Sequence, residues 1–269
     1  MSRPAAADRP VERSESGGVS LVVLNRPGMR NALSSAMLAE LDRVLAEIAA
    51  DRGTRAVVIA ANGPAFCAGH DLKEITEHRR DADRGRAYVE ALMAACSALM
   101  QNIQRMPQPV IAAVEGPAAA AGCQLVASCD LAIAAETAQF ATPGVHIGLF
   151  CSTPMVALSR NVAAKHAMEM LLTGDAISAE HAFRIGLVNR LVAPGRAREE
   201  ALTLARTIAA KSKPVLKIGK EAFYRQIDMS LSDAYRYASE VMVENMLLRD
   251  AEEGIAAFVE KRTPTWEDR

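Results

Sequence analysis

The side chain in this sequence best placed to do chemistry is an amide. Gln124 sits in GPAAAAGCQLVASCD, from Gly116 to Asp130, where alanines and glycines crowd a turn and no charge falls between Gly116 and Cys129. A second stretch, FCAGHD from Phe66 to Asp71, shares the logic, with small residues leading to His70 and Asp71 at the threshold of a helix. Small residues at such turns let a ligand approach the backbone, and N–H groups at a helix start point outward with partial positive charge. Two such turns side by side can aim two N–H donors at one oxygen, the arrangement that stabilises an oxyanion. Taken singly, either turn is more simply a packing device. The remaining candidates are scattered: His146 in TPGVHIGL, Cys151 and Ser152 in GLFCSTP, and Glu115 before Gly116-Pro117. None forms a nucleophile–base pair in sequence. A lone histidine on an apolar stretch is more often structural, and a buried thiol is the plainer reading of Cys151.

The elements that must position these residues can be read from periodicity. VSLVVLN (Val19 to Asn25), RAVVIAA (Arg55 to Ala61), PVIAAVEG and LAIAA (Leu131 to Ala135) are short apolar, β-branched runs bounded by turn signals, and so are expected strands. Ser34 can cap a helix whose Met37, Leu38, Leu41, Val44, Leu45 and Ile48 follow helical spacing. A long helical pattern runs through Tyr88, Leu92, Cys96, Leu99 and Ile103 until Pro107 and Pro109 stop it. Strands that alternate with helices and read as continuous apolar runs are those of an α/β protein with parallel strands covered on both faces. After Pro194-Gly195 the strand signal ends, and four helical segments follow near 196–211, 214–226, 231–248 and 250–259. Residues 1–17, polar and Pro/Ala-rich at the start, read as a loose tail, 18–195 as the core and 196–269 as a helical domain.

Composition excludes several classes. The 269 residues are 50% hydrophobic and carry a formal net charge of −1, which gives no global attraction to nucleic acid or to an anionic membrane. Nothing approaches the roughly 18 consecutive apolar residues of a membrane-spanning helix. The first sixteen residues lack a secretory apolar segment, and Asp8, Glu12 and Glu15 argue against a transit peptide. Five cysteines at irregular spacing fit reduced, buried thiols, and a cytoplasmic protein is expected. No metal-ligand spacing, P-loop or dinucleotide fingerprint occurs, so no metal and no separate cofactor are expected.

The motifs LNRPGMRNALS, FCAGHDLKE, PVIAAVEG, GCQLVASCD, AQFATPGVHIGL, EMLLTGDAISAEHAFRIGLVNRLV and EGIAAFVEKR occur in this order from about Gly17 to Trp266. In them the chain resembles the enoyl-CoA hydratase/isomerase, or crotonase, superfamily. The resemblance implies a crotonase-like spiral of ββα turns with a C-terminal helical oligomerisation domain, assembled as a homotrimer or dimer of trimers. It implies an acyl-CoA thioester as ligand, with coenzyme A entering as part of the substrate. The thioester oxygen would be held by the N–H groups of His70 and Ala121, the latter standing where the family usually has glycine. Arg30, Ala32, Ala68, Asp71, Leu72 and Lys73 match positions along the coenzyme A, while Phe258 and Lys261 match positions that reach its adenine and phosphate, commonly from an adjoining subunit.

In family hydratases the positions of Gln124 and Gly144 are glutamates, one activating water and the other delivering a proton. An amide cannot ionise and a glycine offers nothing, so the resemblance implies an enzyme whose scaffold is kept and whose ordinary hydratase chemistry is dismantled. Isomerisation, thioester hydrolysis and decarboxylation use the same oxyanion hole and stay open. So do two alternatives: a non-catalytic or regulatory acyl-CoA-binding protein, and a true hydratase in which His70 or His146, or Cys151 or Ser152, replaces the missing acid and base.

Overall fold

The computed structural model describes residues 9–269. The chain enters as a hairpin, β1 (Val11–Ser16) turning into β2 (Val19–Leu24) through Gly17 and Gly18. Both glycines lie at positive φ, 59° and 76°, as a two-residue hairpin turn of this hand requires. A 3-10 turn at Pro27–Met29 leads to α1 (Ser35–Ala50), β3 (Ala56–Ala61), α2 (Leu72–His78), α3 (Arg86–Arg105), β4 (Val110–Val114), β5 (Ala118–Ala119), α4 (Ala121–Ser128), β6 (Leu131–Ala135) and β7 (Gln139–Ala141). A second 3-10 turn, Pro143–Ile147, precedes α5 (Ser152–Asn161), α6 (Ala164–Thr173), β8 (Ile177–Ser178), α7 (Ala179–Arg184) and β9 (Arg190–Val192). Helices α8 (Ala197–Ala209), α9 (Lys213–Gln226), α10 (Leu231–Met246) and α11 (Arg249–Glu260) complete the chain.

Six strands form one sheet in the order β1-β2-β3-β4-β6-β9, parallel throughout except for β1. Three short strands form a second sheet, β5-β7-β8. Strands β3 and β4 are apolar on both faces because both faces are covered. On one side α1 and α3 bury Leu41, Ile48, Leu99 and Ile103. On the other, α8 lays Ala197, Ala201, Ala205 and Ala209 on Val58, Ala60, Ile111 and Ile133. Alanine every fourth residue gives that helix a face flat enough to lie close to the strands. Ser34 caps α1 as expected, its Oγ accepting from Met37 N at 3.2 Å.

Two expectations change. The tail read at residues 1–17 is a strand from Val11 onward, while residues 1–8 lie outside the described part. An exposed edge strand needs no apolar alternation, and β1 buries only Val11, so VERSES looks like a tail. The helical domain read at 196–269 begins with a helix that belongs to the sheet: α8 fills the second core. Helix α9 instead makes its main contacts with α3 and α10. It is anchored by Lys220, whose ammonium donates to Ile103 O (2.8 Å), Gln108 O (2.9 Å) and Asp130 Oδ2 (2.7 Å), while Tyr224 OH donates to Asp130 Oδ1 (2.9 Å). With every ammonium proton satisfied, this buried pair is held ionised against the desolvation that pushes the two groups toward neutrality.

Candidate active site

Two strand-to-helix turns meet at the C-terminal edge of the parallel sheet. After β3 the chain turns through Phe66–His70 into α2, and after β4 it turns through β5 into α4. Ala119 N donates to Cys67 O at 2.9 Å, and Cys67 bridges Ala118. A Cβ on Gly69 would lie 2.9 Å from Ala120 Cβ and 3.4 Å from Ala121 N, so the backbone just before His70 abuts the start of α4. A Cβ on Gly122 would stand 2.1 Å from Cys67 O, which makes glycine obligatory where α4 rests on the first turn. Among the described residues, neither His70 N–H nor Ala121 N–H has an acceptor. The two turns predicted to cooperate are in contact, and both candidate donors remain open.

The Ala121 donor is aimed by unusual backbone. Ala120 holds φ 50° and ψ −118°, a combination natural to glycine and costing about 1–3 kcal/mol in other residues. Its N–H donates to Ala141 O and its carbonyl accepts from Gln124 N at 3.0 Å. Those two bonds fix the peptide whose N–H is Ala121's. Nothing in the sequence signals this strain, since alanine stands where the conformation asks for glycine.

Gln124 lies one turn along the same face of α4 and is 5% exposed. Helical side chains tilt toward the N-terminus, so its amide is directed back to the Ala121 end. Its Oε1 faces Cys96 Sγ at 4.0 Å, and its Nε2 has no partner among the described residues. Gln124 and Ser128 form one wall of a cleft of about 290 Å³ between α3, α4 and α5, whose other walls include Ser97, Gln104, Thr153 and Arg160. These last four escaped the sequence reading because three helices distant in sequence must meet before they share a space.

Gly144 is buried, and a Cβ there would lie 2.8 Å from Leu149 O and 2.9 Å from Cys151 Sγ. The position lacks both a side chain and room for one. His146, weighed as a substitute acid or base, is turned away: it is exposed, its Nε2 lies 2.8 Å from Thr173 O, and Asp175 Oδ1 is 4.0 Å off. A 3-10 turn rather than a strand carries it outward. His70 is different. Its Nδ1 lies 3.3 Å from Leu33 O, which places the proton on Nδ1, and its buried Nε2 has no partner. Burial pushes its pKa below 6.5, so the ring is neutral at neutral pH.

No thiolate is available nearby. Burial pushes the Cys67 and Cys123 thiols up to about 12, Cys96 to about 11, and Cys151 upward as well. Ser152 Oγ donates to Phe150 O. Glu115 caps α8, its oxygens accepting from Gly195 N (2.9 Å) and Ala197 N (2.6 Å).

The positions matched to coenzyme A form one strip. Ala68 N donates to Arg30 O (3.0 Å), Ala32 N to Met29 O (3.1 Å) and Leu33 N to Gly69 O (2.7 Å). Asn31, fully buried at positive φ, pins this strip by donating to Asn62 O and Ala65 O. Arg30, Ala68, Leu72 and Lys73 are exposed along it, and Asp71 caps α2, accepting from Lys73 N and Glu74 N. Phe258 and Lys261 are elsewhere. Phe258 is 85% exposed on α11, and Lys261 ends that helix.

Among the described residues, no group of three or more His, Cys, Asp or Glu is placed to hold a metal ion, and no helix is long and apolar enough to cross a membrane.

The model of the enoyl-CoA hydratase/isomerase family matches residues 14–269. The human mitochondrial protein named enoyl-CoA hydratase domain-containing protein 3 is 47% identical over 98% of this chain and 86% of its own length. Its crystal structure superposes with a TM-score of 0.91 at 46% identity, covering 96% of this chain and all of that one. A crystal structure described as enoyl-CoA hydratase from Mycobacterium smegmatis gives a TM-score of 0.91 at 50% identity, over 96% of this chain and 98% of that one. The fold is thus the crotonase spiral with a C-terminal helical region. These names overturn the cytoplasmic expectation, because the human relative and its rat and mouse counterparts are named mitochondrial.

Proposed function

This chain belongs to the enoyl-CoA hydratase/isomerase family, and from that premise we propose that it binds an acyl-CoA thioester and does not run ordinary enoyl-CoA hydration. The thioester oxygen sits between the His70 and Ala121 N–H groups, with the coenzyme A along Arg30, Ala32 and Ala68–Lys73. The observation that carries the reading is the pairing of two open donors with an amide at Gln124 and a packed glycine at Gly144. Each oxyanion donor is worth about 10²–10³-fold in rate, and the loss of a positioned acid or base costs about 10²–10⁴-fold. Chemistry that needs only a stabilised oxyanion or enolate is therefore retained in principle, while addition of water is not.

A second reading, proton transfer by His70, is favoured by its neutral ring and unpartnered Nε2. A purely binding role is the third. Helices α9–α11 leave Phe223, Leu231, Tyr235, Leu247 and Phe258 exposed; that surface supports a homotrimer or dimer of trimers in which a neighbour's Phe258 and Lys261 complete the coenzyme A site.

Calorimetry with hexanoyl-CoA against free hexanoate tests binding; equal affinity, or none for the thioester, defeats the proposal. Crotonyl-CoA hydration should run at least about a hundredfold slower than in a hydratase carrying both glutamates. Rapid hydration that vanishes in His70→Gln would establish the second reading instead. Light scattering that finds a stable monomer would remove the shared site.

A further inference from the structure

We propose that the acyl group this protein takes ends in a carboxylate, held by Arg160 at the far end of the cleft between α3, α4 and α5. The inference rests on the acyl-CoA reading above and adds the class of acyl chain.

The cleft begins one helical turn beyond the proposed Ala121 donor, at Gln124. Ala121, Gln124 and Ser128 lie on one face of α4, at spacings of one and two turns. Gln124 and Ser128 line the cleft, so a thioester held at Ala121 N–H has its acyl chain directed along that face. From Ala121 to Ser128 the helix rises about 10 Å. The end of α5 marks the same level, since Asn161 Nδ2 donates to Ala127 O at 2.7 Å. Arg160 is the neighbouring residue and lines the cleft there.

The lining is mixed: Met100, Val156 and Ala157 supply apolar surface, and unpaired polar groups stand among them. Ser97, Gln104 and Thr153 present hydroxyl and amide groups to the space, and none of those side chains has a protein partner among the described residues. Gln124 Nε2 is likewise unpartnered. An alkyl chain seated there would strip water from these groups and return no hydrogen bond, which is costly for each.

Charge completes the case. Arg160 forms no salt bridge among the described residues; its one hydrogen bond is to Val156 O in its own helix, at 3.1 Å. No aspartate or glutamate lines the cleft. In the adjoining hollow, which shares Gln101 and Gln104, one acid, Glu221, is set against Arg105 and Arg225. An exposed planar guanidinium whose Nε and Nη2 have no partner among the described residues, lining a cleft without acids, matches a carboxylate in two-pronged geometry.

The test compares two thioesters of equal chain length, adipyl-CoA with a terminal carboxylate and hexanoyl-CoA with a terminal methyl, by calorimetry on the full chain. Adipyl-CoA should bind about tenfold tighter, the advantage of a charge-assisted hydrogen bond, and the advantage should shrink as salt is raised. In Arg160→Gln the ratio should fall to about one, and in Arg160→Lys it should be intermediate, because an ammonium keeps the charge without the fork. Gln104→Leu, which removes an amide and keeps Arg160, should lower the ratio by a smaller factor. Hexanoyl-CoA binding by each variant shows that its site has folded. Equal affinity for the two thioesters, or a preference that survives Arg160→Gln, overturns this proposal alone. Failure of both thioesters to bind overturns the acyl-CoA reading beneath it.

Discussion

The two turns that meet at the site are built alike and finished differently. The first ends in Asp71, whose carboxylate accepts from Lys73 N and Glu74 N, so the start of α2 is capped by its own sequence. The second ends in Ala120, whose side chain can cap nothing, and the start of α4 is left open. The contrast extends to burial. No residue of α2 is buried, whereas all eight of α4 are. An exposed helix can be stabilised by a cap worth about 1 kcal/mol. A buried helix held by packing can do without one and can even tolerate a strained residue at its entrance. Donors left uncapped at the start of a buried helix are the ones a ligand can use. At the first turn the cap takes up Lys73 N and Glu74 N and leaves the N–H before it, that of His70, without an acceptor among the described residues.

The largest effect should come where the turns touch. Gly122→Ala pushes a methyl into the Cys67 carbonyl, a backbone group with no freedom to yield, and should cost about 3 kcal/mol or more. Chemical denaturation would show it, and a variant of unchanged stability would mean the turns are not in the contact described. Next comes Ala120→Gly, which should stabilise the fold by about 1 kcal/mol: strain of about 1–3 kcal/mol is relieved, and the more flexible unfolded chain offsets part of it. A loss of stability there would show that Ala120 is at ease in its conformation.

Asp71→Ala should cost about 1 kcal/mol and leave the open donor at Ala121 untouched. The smallest effect concerns pH. The buried His70 has a folded pKa below its ordinary 6.5, so the unfolded chain takes up a proton first as pH falls. Stability from this source is complete above pH 6.5 and is lost as pH drops from there through the depressed folded value. His70→Gln should flatten that part of the profile; an unchanged slope would place the titration elsewhere.

Much of this arrangement was legible in the residues. Val57–Ala60 and Val110–Val114 announce buried parallel strands because both their faces must be apolar. Gln124 could be singled out because the motif around it is dense and the family resemblance puts a carboxylate at its position. Other parts could not be read. The edge strand β1 looks like a tail because one polar strand at a sheet margin carries no pattern. His146 looks close to the site in sequence, yet a turn of 3-10 helix carries its ring to Thr173 O. The strain at Ala120 is hidden by an ordinary residue, and Arg160 acquires a role only when three helices converge. The bar to a glutamate at Gly144 is set by Leu149 O and Cys151 Sγ, contacts that no spacing in the sequence reveals. For that reason Gln124→Glu alone, with the packed glycine kept, is the cleaner way to introduce a proton-handling group.

Under the proposed function, two backbone donors from these unlike turns converge on one thioester oxygen. A crystal structure with hexanoyl-CoA bound tests this convergence most directly. The thioester oxygen should lie about 3 Å from both His70 N and Ala121 N, with the acyl chain running past Gln124 toward Ser128. A thioester oxygen bonded to neither N–H, or an acyl chain leaving along another face of α4, would contradict it.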